Sequence, residues 1–197
     1  MRVGNYHLYE EDPSQRDIPV SAVHLHPEYS SWTMENDICI LDLAEEADLS
    51  DPNIGSSDNS TLDCLTVTTG TISLPREGEE TRPGTMCWVS GWGTVSEGGS
   101  FPQVLMKVEV TIFSPEECFL AYDGVGITGG MICAGDLEGG KGFCQGDSGS
   151  PLMCPSDQGD FLQLTGIASW GYGCGQPGYP GVYTETSYYL PWIIDNM

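Results

Sequence analysis

Basic side chains are the scarcest chemistry in this chain. Six Lys and Arg stand against 29 Asp and Glu, for a formal charge of −23. Such a surface repels phosphate backbones and anionic headgroups, which argues against nucleic acid and membrane surfaces as partners. The acids fall in short runs such as Glu10-Glu11-Asp12 and Glu45-Glu46, the pattern of a solvated, solubilising face. Long apolar runs are also lacking, so no segment has the length of a membrane-spanning helix. The stretch Met1 to His7 has no apolar core and does not read as a signal peptide. Only three histidines occur, His7, His24 and His26. None of the eight cysteines forms a Cys-x-x-Cys pair, which favours disulfides over zinc and an oxidising, extracellular-type compartment. Spacing alone leaves their pairing open.

Glycine and proline are abundant, 26 and 13 residues, and separate short stretches rich in Val, Thr and Tyr. That pattern predicts an all-β protein of short strands and many turns. A chain of 197 residues is long enough to bury a core in one or two domains. Val20 to Leu25 reads as a strand, His26 to Tyr29 as a surface turn, and Cys39 to Leu43 as a buried strand directly behind Asp37. Residues 48–84 read as a connector, with strand-like stretches at Cys64–Thr68 and Thr71–Leu74. Further strands are expected at Cys87–Gly93, Gln103–Phe113, Gly130–Ala134, Leu162–Trp170 and Gly181–Thr184. Ser114 followed by Pro115 opens a brief helix, and Ser187–Met197 forms a closing amphipathic one.

The stretch that carries chemistry is Gly142-Phe143-Cys144-Gln145-Gly146-Asp147-Ser148-Gly149-Ser150-Pro151. A serine flanked by glycines can present its hydroxyl openly and admit a substrate carbonyl. The same turn can aim the amides of Gly146 and Ser148 at one developing oxyanion. A glycine-rich loop whose serine merely caps a turn is the alternative for the bare four-residue pattern. It loses ground beside Asn36-Asp37-Ile38, Ser169-Trp170-Gly171 and Pro180-Gly181-Val182-Tyr183.

Together these motifs resemble the trypsin/chymotrypsin family of serine endopeptidases, from about Val3 to Ile194. The resemblance implies a double antiparallel β-barrel with a short C-terminal helix. Residues 1–47 would be a remnant of an incomplete N-terminal barrel, 48–84 the inter-barrel connector, and 85–197 the C-terminal barrel with its closing helix. It implies Ser148 as nucleophile, Asp37 as the acid that orients a base, Ser169 as support for that acid, and Gly146 with Ser148 as oxyanion amides. Asp147 would support the nucleophile turn by pairing with an ammonium group released on activation. Gly142, Phe143, Gln145, Trp170, Gly171 and Gly181 would line the substrate pocket. With Gly142 at its floor, a preference for Arg or Lys is not implied. The glycine walls favour apolar or aromatic residues, and Phe143 narrows the pocket toward smaller ones. Cys87–Cys154, Cys118–Cys133 and Cys144–Cys174 would be disulfides, with Cys39 buried and either free or paired with Cys64. No cofactor or metal is implied. The partner would be a polypeptide substrate, with protein inhibitors as further candidates, acting on a secreted monomer.

One component does not match. The family's Ala-Ala-His-Cys segment and Ile-Val-Gly-Gly terminus are absent, and His7, His24 and His26 all read as structural or solvent-facing. No general base is assigned, Asp147 lacks an evident counter-charge, and the oxyanion site should be poorly ordered. The preferred reading is a serine endopeptidase seen without its N-terminal part, so that these 197 residues are nearly inert. The alternative is a non-catalytic homologue acting as a binding or regulatory protein.

Overall fold

The protein is described by a computed structural model, which covers residues 1–47, 71–124, 126–157, 159 and 161–197. Most of the connector, including Cys64–Thr68, lies outside the described residues. Its second strand-like stretch, Thr71–Leu74, forms only a single parallel bridge, Ser73 to Gln163. Polar and β-breaking neighbours give that stretch nothing to continue pairing with.

Six strands close an antiparallel barrel: β5 (Met86–Gly91), β6 (Met106–Ile112), β7 (Met131–Gly135), β8 (Pro151–Pro155), β9 (Leu162–Trp170) and β10 (Gly181–Glu185), in the order β10-β7-β6-β5-β8-β9. Alternation decides which side chains fill it. Cys87 and Val89, Val110 and Ile112, Ile132 and Ala134, and Leu152 and Cys154 each stand two apart and all point into one buried cluster with Ala168 and Tyr183. The Cys87–Cys154 disulfide joins the neighbouring strands β5 and β8 within this core. On β7 the intervening residue, Cys133, faces outward and joins Cys118 of α1 (Pro115–Ala121). That helix opens with a capping box: the Ser114 hydroxyl accepts from the Glu117 amide, and the Glu117 carboxylate accepts from the Ser114 amide.

Residues 1–47 contribute two separate two-stranded sheets, β1 (Arg2–Val3) with β2 (Arg16–Asp17), and β3 (Val20–Leu25) with β4 (Cys39–Leu43). The expected burial of β4 does not hold. Cys39 is exposed, and Val23, Leu25 and Leu41 are 61%, 59% and 41% exposed. A strand pair with no further sheet over it has no inner face to hide. The hairpin is instead held at one end, where Ile38 packs with Tyr189 and Ile193 of α2 (Thr186–Asp195).

Leu152 has no exposure in the barrel core, so Leu152→Ala should cost about 2–5 kcal/mol in urea unfolding. Leu120→Ala, at an exposed position of α1, should cost under about 0.5 kcal/mol.

Candidate active site

The turn between Cys144 and Pro151 is shaped by two residues with left-handed backbone, Gly146 at φ 96° and Gly149 at φ 82°. The amides of Asp147 and Ser150 close it onto the Cys144 and Asp147 carbonyls at 3.0 and 2.9 Å. The Gly149 amide donates to the Ala168 carbonyl of β9, and the Ala168 amide donates to the Ser150 carbonyl, both at 2.9 Å. The amides of Gly146 and Ser148 donate to no described residue, and Ser148 is exposed with no described partner for its hydroxyl. Two N–H groups with no described partner thus stand in the same turn as an exposed serine.

Asp147 carries this turn. Its carboxylate accepts from the Gly93 amide at 2.7 Å and from the Cys144 amide at 3.0 Å. The carboxylate, for which no counter-charge was evident in the sequence, is met by these two backbone donors. Side chains at Gly91 and Gly93 would collide with it: a Cβ would lie 2.0 Å and 2.4 Å from the nearest Asp147 atoms. A cavity of about 260 Å³ borders the same carboxylate, between Gly91, Gly93, Lys141 and Cys174. The Cys144–Cys174 disulfide fastens the turn to the segment behind Trp170.

The Asn36–Asp37 segment is held by three contacts, two from barrel strands to Asp37 and one from α2 to Asn36. Asp37 Oδ2 accepts from the Ser169 hydroxyl at 2.6 Å, its carbonyl accepts from Thr184 at 2.8 Å, and the neighbouring Asn36 side chain accepts from the Tyr189 hydroxyl at 3.0 Å. Asn36 takes a left-handed backbone (φ 55°), which turns the chain into β4. Since Ser169 adjoins Ala168, one strand binds both Asp37 and the turn that carries Ser148. Thr184, Tyr189, Gly91 and Gly93 were not foreseen as site residues. Only the recurrence of Gly91-Trp92-Gly93 in one short stretch could have flagged the last two.

No histidine joins this arrangement. His7 Nδ1 lies 2.6 Å from Asp12 Oδ1, and Asp12 Oδ2 also accepts from the Tyr6 and His7 amides. His24 Nε2 contacts Asp42 at 2.9 Å on the exposed hairpin. His26 lies against Tyr189 and Trp192, with ring centroids 5.6 and 5.0 Å away, and its Nδ1 accepts from the Glu28 amide. All three have structural partners, and none contacts Asp37 or Ser148.

Of the expected pocket residues, Gly142 alone borders the cavity beside Asp147. Gly171 and Gly181 lie side by side with the Phe143 ring against Gly181, Gly142 faces Gly175, and Trp170 packs edge-on to Tyr122 at 4.8 Å. Gln145 turns away, its Oε1 accepting from Thr94. Burial pushes the Tyr122 phenol up to about 12, and its hydroxyl donates to the Pro180 carbonyl at the pocket edge.

The family model described as Trypsin matches residues 1–193. Anionic trypsin of Bos taurus is 40% identical over 198 residues, covering all of this chain and 70% of that protein. Anionic trypsin of Canis lupus familiaris is 39% identical over 194 residues, covering 98% and 68%. Trypsin-1 of Astacus astacus is 42% identical over 193 residues, covering 98% and 73%. The barrel and these matches agree on the class, a β-barrel hydrolase of peptide bonds. The chain belongs to the trypsin family of serine proteases.

Two outcomes follow from this geometry. Gly93→Ala should push Asp147 off its amides and lower stability by about 1–3 kcal/mol, read by thermal melting; an unchanged midpoint would contradict the contact. The hydrogen bond to Asp12 raises the His7 pKa above 6.5, while the one to His7 lowers Asp12 from 3.8 to about 2. Their contact therefore contributes most between the unfolded values, 3.8 and 6.5. It fades as pH rises through the folded His7 value, and fades as pH falls toward about 2. An NMR titration should place the His7 midpoint above 6.5, returning toward 6.5 in Asp12→Asn.

Proposed function

We propose that this chain carries the nucleophile, the orienting acid and the oxyanion donors of a serine endopeptidase that works through an acyl-enzyme at Ser148. The observation that carries the reading is the 2.6 Å Ser169–Asp37 hydrogen bond, made from the strand whose Ala168 also pairs with the nucleophile turn. It ties an acid from residue 37 to a serine at residue 148 within one rigid unit.

In this mechanism Ser148 Oγ attacks the scissile carbonyl carbon and gives its proton to a base. The carbonyl oxygen becomes an oxyanion held by the Gly146 and Ser148 amides. Collapse expels the amine with a proton, leaving an ester on Ser148 that water hydrolyses to free acid and serine. Asp37 is suited to hold a base rather than to act as one, because its oxygen is already bound to Ser169. His7, His24 and His26 are each engaged elsewhere, so no histidine of this chain is assigned the base. The 197 residues alone would then retain only residual catalysis, roughly 10³–10⁴ over the uncatalysed rate, from binding and the oxyanion donors. The substrate is a polypeptide, and the setting is extracellular, consistent with three disulfides in the barrel half.

A fluorophosphonate tests the assignment. It should label Ser148 slowly, with the adduct located by mass spectrometry, and Ser148→Ala should abolish labelling. Added imidazole should accelerate the reaction by acting as the base. Labelling at a rate typical of an intact trypsin, or at a different residue, would overturn these roles. No labelling with or without imidazole would favour a non-catalytic binding protein.

A further inference from the structure

A groove of about 590 Å³ opens where the chain leaving β7 passes the end of β6. Buried Ile112 and Phe113 form its base, and Pro83 and the exposed Leu137 give it apolar walls. Glu117, Asp136 and Glu138 add carboxylates to the same lining. The wall at Gly84 is open, since a Cβ there would meet nothing within 4 Å. The groove shares no lining residue with the cavity at Asp147. Its charge is one-sided. No Lys or Arg borders it among the described residues, and Arg82, next to Pro83 in sequence, lines a separate cavity with Glu79 and Asp157. Lys141 Nζ lies 3.2 Å from Asp136 Oδ2 and so meets one carboxylate of the three. Glu117 has only neutral donors, the Ser114 amide at 2.8 Å and hydroxyl at 2.7 Å, which hold its carboxyl below the usual value. Glu138 makes no ion pair among the described residues.

We propose that this groove docks a basic, apolar-centred peptide segment of a protein partner. The partner's apolar side chains lie beside Pro83 and Leu137, and its Lys or Arg side chains meet Glu117 and Glu138. Charge complementarity selects this occupant, because an apolar trough with uncompensated carboxylates favours a ligand that carries cations beside its apolar residues. A second copy of the chain would bring −23 against −23, and nucleic acid or an anionic membrane would be repelled in the same way. The docking site lies apart from the chemistry at Ser148 and does not depend on that reading.

Three capped peptides titrated into the full chain and followed by NMR chemical shifts test it: acetyl-Lys-Leu-Leu-Arg-amide, acetyl-Glu-Leu-Leu-Glu-amide and acetyl-Lys-Ser-Ser-Arg-amide. The first should shift the amides of Thr111, Gly135 and Leu137. It should bind at least tenfold tighter than the acidic peptide and at least threefold tighter than the serine peptide. Raising NaCl from about 50 to about 500 mM should weaken it at least threefold, as screening of exposed charges requires. Glu138→Lys and Leu137→Ser alter exposed side chains and should leave the fold intact. Each should weaken the first peptide at least threefold. Equal affinity for the acidic peptide, shifts confined to the Ser148 turn, no shifts at all, or native affinity in Glu138→Lys would each overturn the proposal. So would shifts of the same amides on concentrating the protein alone, which would assign the groove to a second copy of the chain.

Discussion

Asp147 is a partly buried carboxylate with no cation bound to it among the described residues, and the geometry of the Cys144–Pro151 turn depends on how its charge is met. The Gly93 and Cys144 amides meet it, at 2.7 and 3.0 Å. Hydrogen bonds to an ionised group are stronger than neutral ones, which suits them to fix a loop. They are possible only because Gly91 and Gly93 have no side chains to keep β5 and its exit away from the carboxylate. With Asp147 fixed, the backbone on either side must turn through Gly146 and Gly149. The Gly146 and Ser148 amides are left unpaired among the described residues, and the Ser148 hydroxyl is left in the open.

A second constraint connects this turn to the first third of the chain. The β3–β4 hairpin has little burial of its own, with several apolar side chains exposed. Its position comes from polar contacts at one end, Ser169, Thr184 and Tyr189 around Asn36 and Asp37, and from Ile38 against α2. The barrel thus holds the acid more than the hairpin does. Rigidity of the 36–38 segment comes from hydrogen bonds made by β9, β10 and α2, whose cost of ordering is already covered by barrel packing.

Much of this was legible in the residues. Cys87–Gly93, Gln103–Phe113 and Gly130–Ala134 read as strands where β5, β6 and β7 lie, and Ser114-Pro115 marked a helix start where α1 begins. β3 appears at Val20–Leu25, where the pattern put it. Other features depend on distant partners and leave no local trace. Burial of β4 needs a covering sheet, so its apolar run misled. The amides that satisfy Asp147 come partly from Gly93, far away in sequence, and backbone donors have no letter in a sequence. Phe143 beside two glycine walls read as a narrowing. Only the fold shows its ring lying against Gly181, with Gly171 alongside. The histidines were read as structural from their surroundings in sequence, and each has a structural partner: Asp12, Asp42, or the Tyr189–Trp192 pair.

The chemistry of the site turns on where a tetrahedral group would sit at Ser148. A crystal structure of the protein with a phosphonate bound to Ser148 Oγ measures it. One phosphonyl oxygen should accept from both the Gly146 and Ser148 amides at about 2.7–3.1 Å. Asp147 should stay on the Gly93 amide, and Asp37 on Ser169. An adduct whose oxygen points to solvent, or one that forms only after Asp147 leaves Gly93, would contradict the oxyanion site.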